Sequence, residues 1–412
     1  MAKQATAKVS VTALGQVRIF APLEEDQLTT LTEQCSWTRY EATSEILAQD
    51  TPCDEVYFIC SGRVSAKTFS DNGKEITFAE LIRKVGYQTA CIGKWDVSNR
   101  KPIIERMPNA QGFDYYFGTL GANDGGGVGF HENNEKAGSS RDMGELTTLY
   151  TDKSIEYLKK KRDPKKPFVL YLAHTMMHTI IDASDRFRGK SKGGLYGDVV
   201  EEFDYETGRL LDALEELGLS KNTLVIYTSD NGPWNQDKYT KNKKGHPKGS
   251  IFWGSSGPLR NGKGSCYEGG YRLPCIVRWP GKVPAGRESD AVFATIDFMP
   301  TFAKLSDFKI PADRVIDGID QTDLLLGKSE TGRETFYFDR AGIRRGKWKY
   351  LKAKAHFYGY AREDDRPVEE ELYDLEKDLG ETTNLAKKHP KIVAELRKLT
   401  EELPAYRPDE RR

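Results

Sequence analysis

Two hydrophobic periodicities divide the chain. Up to about residue 80, short apolar and β-prone runs recur: Glu45-Ile46-Leu47, Glu55-Val56-Tyr57-Phe58-Ile59, Gly62-Arg63-Val64-Ser65 and Glu75-Ile76-Thr77-Phe78. Asp-Thr-Pro, Ser-Gly and Asp-Asn-Gly turns separate them, a spacing that predicts a β-sandwich or β-roll. Ahead of these runs, Leu23 to Leu28 read as a short helix with an acidic first turn. Beyond residue 80 the period lengthens. Residues 146–162 recur through Leu146, Leu149, Ile155 and Leu158 and end on a basic turn. Residues 196–218 carry Val200, Phe203, Thr207, Leu210, Leu211 and Leu214 at helical spacing. Phe168 to Leu172, Thr223 to Tyr227 and Cys275 to Trp279 are continuous runs of buried-strand length. Strands alternating with helices predict the α/β class, a mostly parallel sheet with helices on both faces. Thr335 to Phe338 and Gly346 to Leu351 predict a small antiparallel sheet, closed by a polar helix near 388–403. The expected domains are therefore 1–80, 81–330 and 331–412. No internal repeat occurs, and residues 121–130 (GANDGGGVGF) read as a flexible glycine-rich loop.

Composition narrows the function classes. The 412 residues carry 62 Lys plus Arg against 62 Asp plus Glu, a formal net charge of zero. A chain built to coat nucleic acid or an anionic membrane would need a basic excess, so neither is an expected partner. Hydrophobic residues make up 38%, enough to build a sizeable core. No stretch reaches the roughly 18 apolar residues that span a bilayer. The first residues show no secretory apolar region, and no N-x-S/T acceptor occurs. Cys35, Cys53, Cys60, Cys91, Cys266 and Cys275 form no metal-ligand spacing and read as reduced thiols. The chain as written is expected to be cytoplasmic.

Three segments could carry chemistry. Ser229-Asp230-Asn231-Gly232 directly follows a strand, and ligands of open α/β sheets bind at the carboxyl ends of strands. A carboxylate and an amide oxygen there suit a hard divalent cation, or simply form an Asx-turn that ends the strand. In Leu259 to Gly270, Lys263 is framed by glycines, which lets an oxyanion approach closely. Gly257-x4-Gly262-Lys263 grazes the P-loop pattern, but Gly264 replaces the required Ser or Thr and no strand precedes it. Leu172-Ala173-His174-Thr175-Met176-Met177-His178 ends another strand. Its two histidines diverge there, so one serves better as a proton donor or anion ligand than the two do as a zinc pair.

Together these segments resemble the sulfatase family of the alkaline-phosphatase superfamily. The resemblance starts at Ala79 to Ala90 and runs through Ile92-Gly93-Lys94-Trp95 and Gln111-Gly112-Phe113-Asp114. It continues through the His178 segment, Ser229 to Gly232, Gly262-Lys263-Gly264, Glu268-Gly269-Gly270 and Arg272-Leu273-Pro274. Glu371 to Leu375 and Glu381 to Leu385 resemble the family's C-terminal signature. The resemblance covers roughly 80–405 and implies a sulfuric ester hydrolase of arylsulfatase type, with an alkaline-phosphatase-like sheet. It implies that Asp230 and Asn231 bind the cation, usually Ca²⁺. It further implies that Lys263 and Lys94 hold the sulfate oxygens and that His178 lies near the leaving group. The implied substrate is a sulfate ester, small or on a sulfated glycan; phosphonate and phosphodiester hydrolases are related in substrate.

The sequence departs from that family in its N-terminal portion. Sulfatases begin with a strand ending in paired aspartates, then a helix whose C-x-P-x-R cysteine is oxidised to formylglycine, the nucleophile. None of the six cysteines heads that motif; Cys35-Ser36-Trp37-Thr38-Arg39 has Trp where the core needs Pro or Ala. Asp96 also stands where many members have His. Residues 13–80 instead resemble the first half of a cyclic-nucleotide-binding domain, through Leu14 to Phe20, Leu23 to Leu28, Glu45 to Asp50 and Tyr57 to Val64. The expectation is an impaired or inactive sulfatase. The rivals are a non-catalytic chimera joined near residues 78–82 and a cyclic-nucleotide-responsive sensor.

Overall fold

Thr77-Phe78-Ala79-Glu80 starts the main body of the protein with a capping box. The Glu80 amide donates to the Thr77 hydroxyl at 3.1 Å, and the Thr77 amide donates to the Glu80 carboxylate at 3.0 Å. In the computed structural model, described here for residues 7–8, 25–32, 36–37, 77–97, 100–234, 253–312, 316–338, 341–355 and 366–403, this box opens helix α2 (Phe78–Lys84). The chain divides into two compact units, Met1–Glu75 with Tyr406–Arg412, and Ile76–Ala405. The described part of the first unit is a two-residue strand pair, β1 (Ala7–Lys8) with β2 (Ser36–Trp37), and helix α1 (Glu25–Thr32). Glu25 and Asp26 supply the acidic first turn of α1 that the sequence predicts. The strands expected between residues 45 and 75, with the half β-roll they would form, lie outside the described residues, as do Cys35, Cys53 and Cys60.

The second unit is α/β. Strand β3 (Gln88–Lys94), with its five interior residues buried, is the axis of a five-stranded sheet. It pairs in parallel with β4 (Tyr115–Thr119) on one side and with β7 (Phe168–Ala173) on the other. Strands β5 (Val128–Glu132) and β6 (Glu135–Ser140) continue antiparallel from β4, in the order β6-β5-β4-β3-β7. Two glycines let the central strands close: a Cβ on Gly118 would lie 1.7 Å from the Gly93 carbonyl oxygen, and one on Gly93 2.0 Å from that of Ala173.

Alternation along β3 splits the core between two faces. Ala90 and Ile92 join Leu146 and Tyr150 of helix α3 (Leu146–Glu156) and Val199 and Leu214 of helix α4 (Gly194–Glu216). Cys91 faces the other way, toward Ala79 of α2 and Tyr116. On that side Leu81 and Ile82 pack on Ala303 of a later helix, α6 (Phe298–Ser306). Beyond α4, β8 (Val225–Thr228) pairs antiparallel with β9 (Cys275–Arg278), and the four-residue helix α5 (Glu268–Tyr271) precedes β9. Near the C-terminus β10 (Thr335–Tyr337), β11 (Gly342–Arg345), β12 (Trp348–Leu351) and β13 (Glu371–Asp374) form the predicted antiparallel sheet. The four-residue helix α7 (Thr322–Leu325) precedes this sheet, and helix α8 (Pro390–Glu401) covers it, burying Val393 and Leu396 against Ile343, Tyr350 and Leu372.

Three expectations change. The runs at 168–172, 223–227 and 275–279 predict fully buried strands, yet β7 and β8 are only partly buried, Tyr171 is 47% exposed, and Cys275 and Ile276 of β9 are exposed. Among the described residues β7 pairs only with β3 and β8 only with β9, so each has an open edge. Val200, read as inward-facing on α4, is exposed, because the inner face of that helix carries carboxylates. Asp198 accepts from the amides of Gly189, Lys190 and Ser191 at 2.7–3.0 Å, and Glu202 from that of Ser184 at 2.9 Å. Finally, the glycine-rich loop is anchored: the fully buried Asn123 side chain donates to the carbonyls of His178 at 2.9 Å and Ile180 at 2.6 Å.

Open, partly apolar strand edges pair with other chains unless a charge blocks them. A β7 edge that stays uncovered in solution drives self-association, and Tyr171→Lys is then expected to lower the aggregated fraction in light scattering while keeping a cooperative melt. Aggregation unchanged by that charge would place its cause elsewhere.

Candidate functional site

The carboxyl ends of β3, β7 and β8 carry the residues that the sequence singles out. Lys94 closes β3 and lies 3.4 Å from Asp96, which also holds Arg100 at 3.0 Å. Arg100 reaches Asp124 in the glycine-rich loop at 3.3 Å, and Asp124 lies 3.4 Å from His178 Nδ1. A chain of alternating charge therefore runs Lys94–Asp96–Arg100–Asp124 and ends on the His178 ring. His178 Nδ1 is also 2.7 Å from the Thr179 carbonyl. A carbonyl can only accept, so Nδ1 carries the proton and the neutral ring keeps its lone pair on Nε2. Burial pushes the His178 pKa down; Lys263 and Lys94 push the same way, while the Thr179 carbonyl and Asp124 oppose them.

Lys263 enters from the loop before α5. Asn261 takes a left-handed turn at φ 60°, and its side-chain oxygen accepts from the Gly262 amide at 2.8 Å. The Lys263 amide donates to the Pro233 carbonyl at 2.9 Å, and the Gly232 amide to that of Gly270 at 2.9 Å. Two backbone links thus lock the Lys263 loop to the Asp230 loop. Gly264, where a P-loop would have Ser or Thr, is left-handed at φ 90°. Burial lowers the Lys263 pKa; Asp230 opposes this, Lys94 adds to it, and Asp124 and Asp96 oppose it. These mutual influences bring Lys94, Lys263, His178 and Asp230 into one electrostatic neighbourhood.

Asp230 is exposed at the end of β8. Asn231 follows it; its side-chain amide donates to the Gly232 carbonyl at 2.9 Å, which leaves the amide oxygen for a ligand. Two oxygen donors fall well short of the roughly 6–8 that Ca²⁺ takes. Among the described residues no group of three or more His, Cys, Asp or Glu could hold a metal ion. The described residues therefore do not assemble a calcium site.

His174, the other histidine after β7, is a core residue. Its ring packs 4.6 Å from that of Phe203 and 6.1 Å from that of Tyr150, and burial lowers its pKa to about 4. Of the described cysteines, Cys91 and Cys266 are buried, and burial pushes the Cys91 thiol far up. Sequence reasoning missed Asn123, Arg100 and Asp124. Asn123 and Asp124 are adjacent polar residues within an otherwise glycine-rich stretch, a signal that could have marked an anchored loop.

The His174 shift carries a stability prediction. Folding favours its neutral form, so its contribution is complete above pH 6.5 and falls by about 3 kcal/mol as the pH drops toward 4. Urea denaturation across that window should show a shallower loss for His174→Phe than for the parent. Equal slopes would contradict a buried neutral His174.

Comparison with known proteins was made against this geometry. The sequence profile of the Sulfatase family matches residues 24–308, and that of the N-sulphoglucosamine sulphohydrolase C-terminal region matches residues 262–407. The first match starts well before residue 80 and includes most of the segment that resembles a half β-roll. The chain is 33% identical to canine N-acetylgalactosamine-6-sulfatase over 285 residues, covering 64% of this chain and 51% of that protein. It is 41% identical to mouse steryl-sulfatase over 197 residues, 48% of this chain and 30% of the relative. The chain thus spans about half of the length of the first of these curated relatives and under a third of the second. Among solved structures, a glycosaminoglycan-metabolism protein of Bacteroides thetaiotaomicron superposes with a TM-score of 0.66 at 26% identity, covering 80% of this chain and 82% of the other. A Pseudoalteromonas sulfatase shares the fold with a TM-score of 0.65 at 24% identity, covering 80% and 72%.

Proposed function

Because the chain belongs to the sulfatase family, we propose that the cleft around Lys94, Lys263 and His178 binds the sulfate group of a sulfuric ester, most favourably one carried by a sugar. The observation that carries this reading is the convergence of two ammonium groups and one imidazole near the strand ends, where both lysines push the His178 pKa down and Lys94 adds to the lowering at Lys263. Positive charge fixed in a partly dry cleft stabilises the oxygens of a sulfate and the charge that grows on the ester oxygen as an S–O bond breaks. Once protonated on Nε2, His178 donates to that oxygen and passes it the proton as the S–O bond breaks. The preference for a sugar is supported by similarity to canine N-acetylgalactosamine-6-sulfatase and to the glycosaminoglycan-metabolism structure. The steryl-sulfatase similarity keeps the broader class a sulfate ester.

Binding is expected to exceed turnover in this chain. None of its cysteines heads a C-x-P-x-R motif, so no formylglycine nucleophile is identified. Asp230 and Asn231 form too small a donor set for tight cation binding. Asp96 also competes with the incoming anion for Lys94, from 3.4 Å.

Calorimetric titration with sulfate and with 4-nitrocatechol sulfate tests the reading. Lys263→Ala should weaken binding on the order of ten- to a hundred-fold, the loss of one charged hydrogen bond. Asp96→Asn should tighten it several-fold, and hydrolysis should stay undetectable with added Ca²⁺. Affinity indifferent to Lys263→Ala would remove the cleft as the binding site. Turnover abolished by the same substitution would reveal a nucleophile in this chain.

A further inference from the structure

Lys349 is the least expected side chain in the core. It lies on β12 with no exposed surface, and its ammonium is 2.9 Å from Glu268 and 2.9 Å from Glu381, both carboxylates also buried. The Phe338 ring covers it at 4.3 Å from the ring centre. The Glu268 amide donates to the second oxygen of Glu381 at 2.7 Å, and Arg344 and Arg272 lie 3.8 and 4.0 Å from the second oxygen of Glu268. Three segments meet there: β12, the tail after β13 and the first residue of α5.

We propose that this Lys349–Glu268–Glu381 triad positions Lys263, so that the C-terminal sheet sets the geometry of the anion cleft. The proposal rests on the functional reading above. The connection is short and continuous. Glu268 is held from below by Lys349 and Glu381. Its neighbour Gly269 donates its amide to the Arg260 carbonyl at 2.9 Å, closing the loop that contains Lys263. The next residue, Gly270, accepts from Gly232, fixing the Asp230 loop, and the Lys263 amide is tied to Pro233 in that loop. There is no slack in this circuit: a Cβ on Gly269 would lie 2.2 Å from the Asn261 carbonyl oxygen, and one on Gly232 1.8 Å from that of Gly269. Further clamps from β13 and the tail after it hold both ends of the loop. Arg260 donates to the Tyr373 hydroxyl at 2.8 Å and to the Glu381 carbonyl at 3.0 Å, and Tyr267 donates to Glu371 at 2.8 Å.

Stability alone is a poor reason for such an arrangement. A buried ion pair replaced by apolar groups of similar volume is often neutral or stabilising, because desolvation offsets the attraction. What the triad supplies that an apolar cluster does not is direction, since the Lys349–Glu268 hydrogen bond and the bond from the Glu268 amide to Glu381 fix the angle of the first residue of α5.

The test uses the full chain, Lys349→Met, and the uncharged triple variant Lys349→Met/Glu268→Gln/Glu381→Gln, which leaves no buried charge unpaired should the single variant fail to fold. Two quantities are read: sulfate affinity by calorimetry and the titration of the Lys263 ammonium by side-chain NMR. The expected result is a cooperative melt with sulfate binding at least tenfold weaker and Lys263 titrating closer to an ordinary lysine. Adding Lys263→Ala to the triple variant should then weaken binding little further. A triple variant with sulfate affinity and Lys263 titration within twofold of the parent would overturn the proposal and leave the triad a stabilising device. If the parent itself binds no sulfate, the functional reading fails, and the Lys263 titration alone decides whether the triad positions that residue.

Discussion

Two ammonium groups at the end of a β-sheet repel each other, and a fold that keeps Lys94 and Lys263 in one cleft must hold them there by other means. Lys94 is fixed because it ends the central, most buried strand, whose neighbours approach so closely that Gly93 and Gly118 admit no side chain. Lys263 is fixed by a loop sewn to the Asp230 loop and, through Glu268, to the C-terminal sheet. Asp96, Asp124 and Asp230 surround the pair and temper the repulsion. In the proposed anion cleft the positive charge is thus partly buried, and Asp96 stands 3.4 Å from Lys94.

The same constraint explains why the small C-terminal sheet packs where it does. It has a core of its own, in which β11 to β13 and α8 bury Ile343, Tyr350, Leu372 and Val393. Its second face is devoted to the Lys263 loop, through Lys349, Glu371, Tyr373 and Glu381. A sheet that served only as a cap would have little use for a lysine without solvent. In contrast, the β7 and β8 edges are left open among the described residues, so the strand ends nearest the cleft are held from below by helices more than by neighbouring strands.

Much of this was legible in the sequence, for physical reasons that differ by element. The strand-helix alternation of 146–228 and the antiparallel 335–351 segment follow from period and turn chemistry and form where expected, whereas the strands at 88–140 carry no such period. The α1 helix and its acidic first turn could be read from local chemistry alone. Asp230, Asn231, Lys263 and His178 stand out by strand-end and glycine context, while Lys94 and the roles come only from the family resemblance. The fold brings Lys94, Lys263, His178 and Asp230 into one electrostatic neighbourhood. Burial was not legible where it depended on neighbours: the apolar 168–172 run cannot report that its strand has an open edge. The inward face of α4 was misread at Val200 because hydrophobic periodicity is blind to buried carboxylates such as Asp198 and Glu202. Arg100, Asp124 and Lys349 act through partners 24 to 81 residues away, and a single sequence carries no trace of such pairings.

The central claim is that Lys94 and Lys263 together form an oxyanion cleft. Anomalous diffraction from crystals of the full chain soaked in tungstate, a heavy tetrahedral stand-in for sulfate, tests it most directly. The account predicts one dominant peak within hydrogen-bond reach of both ammonium groups, with His178 beside it. Tungstate bound only elsewhere, with the space between the two lysines empty, would contradict it.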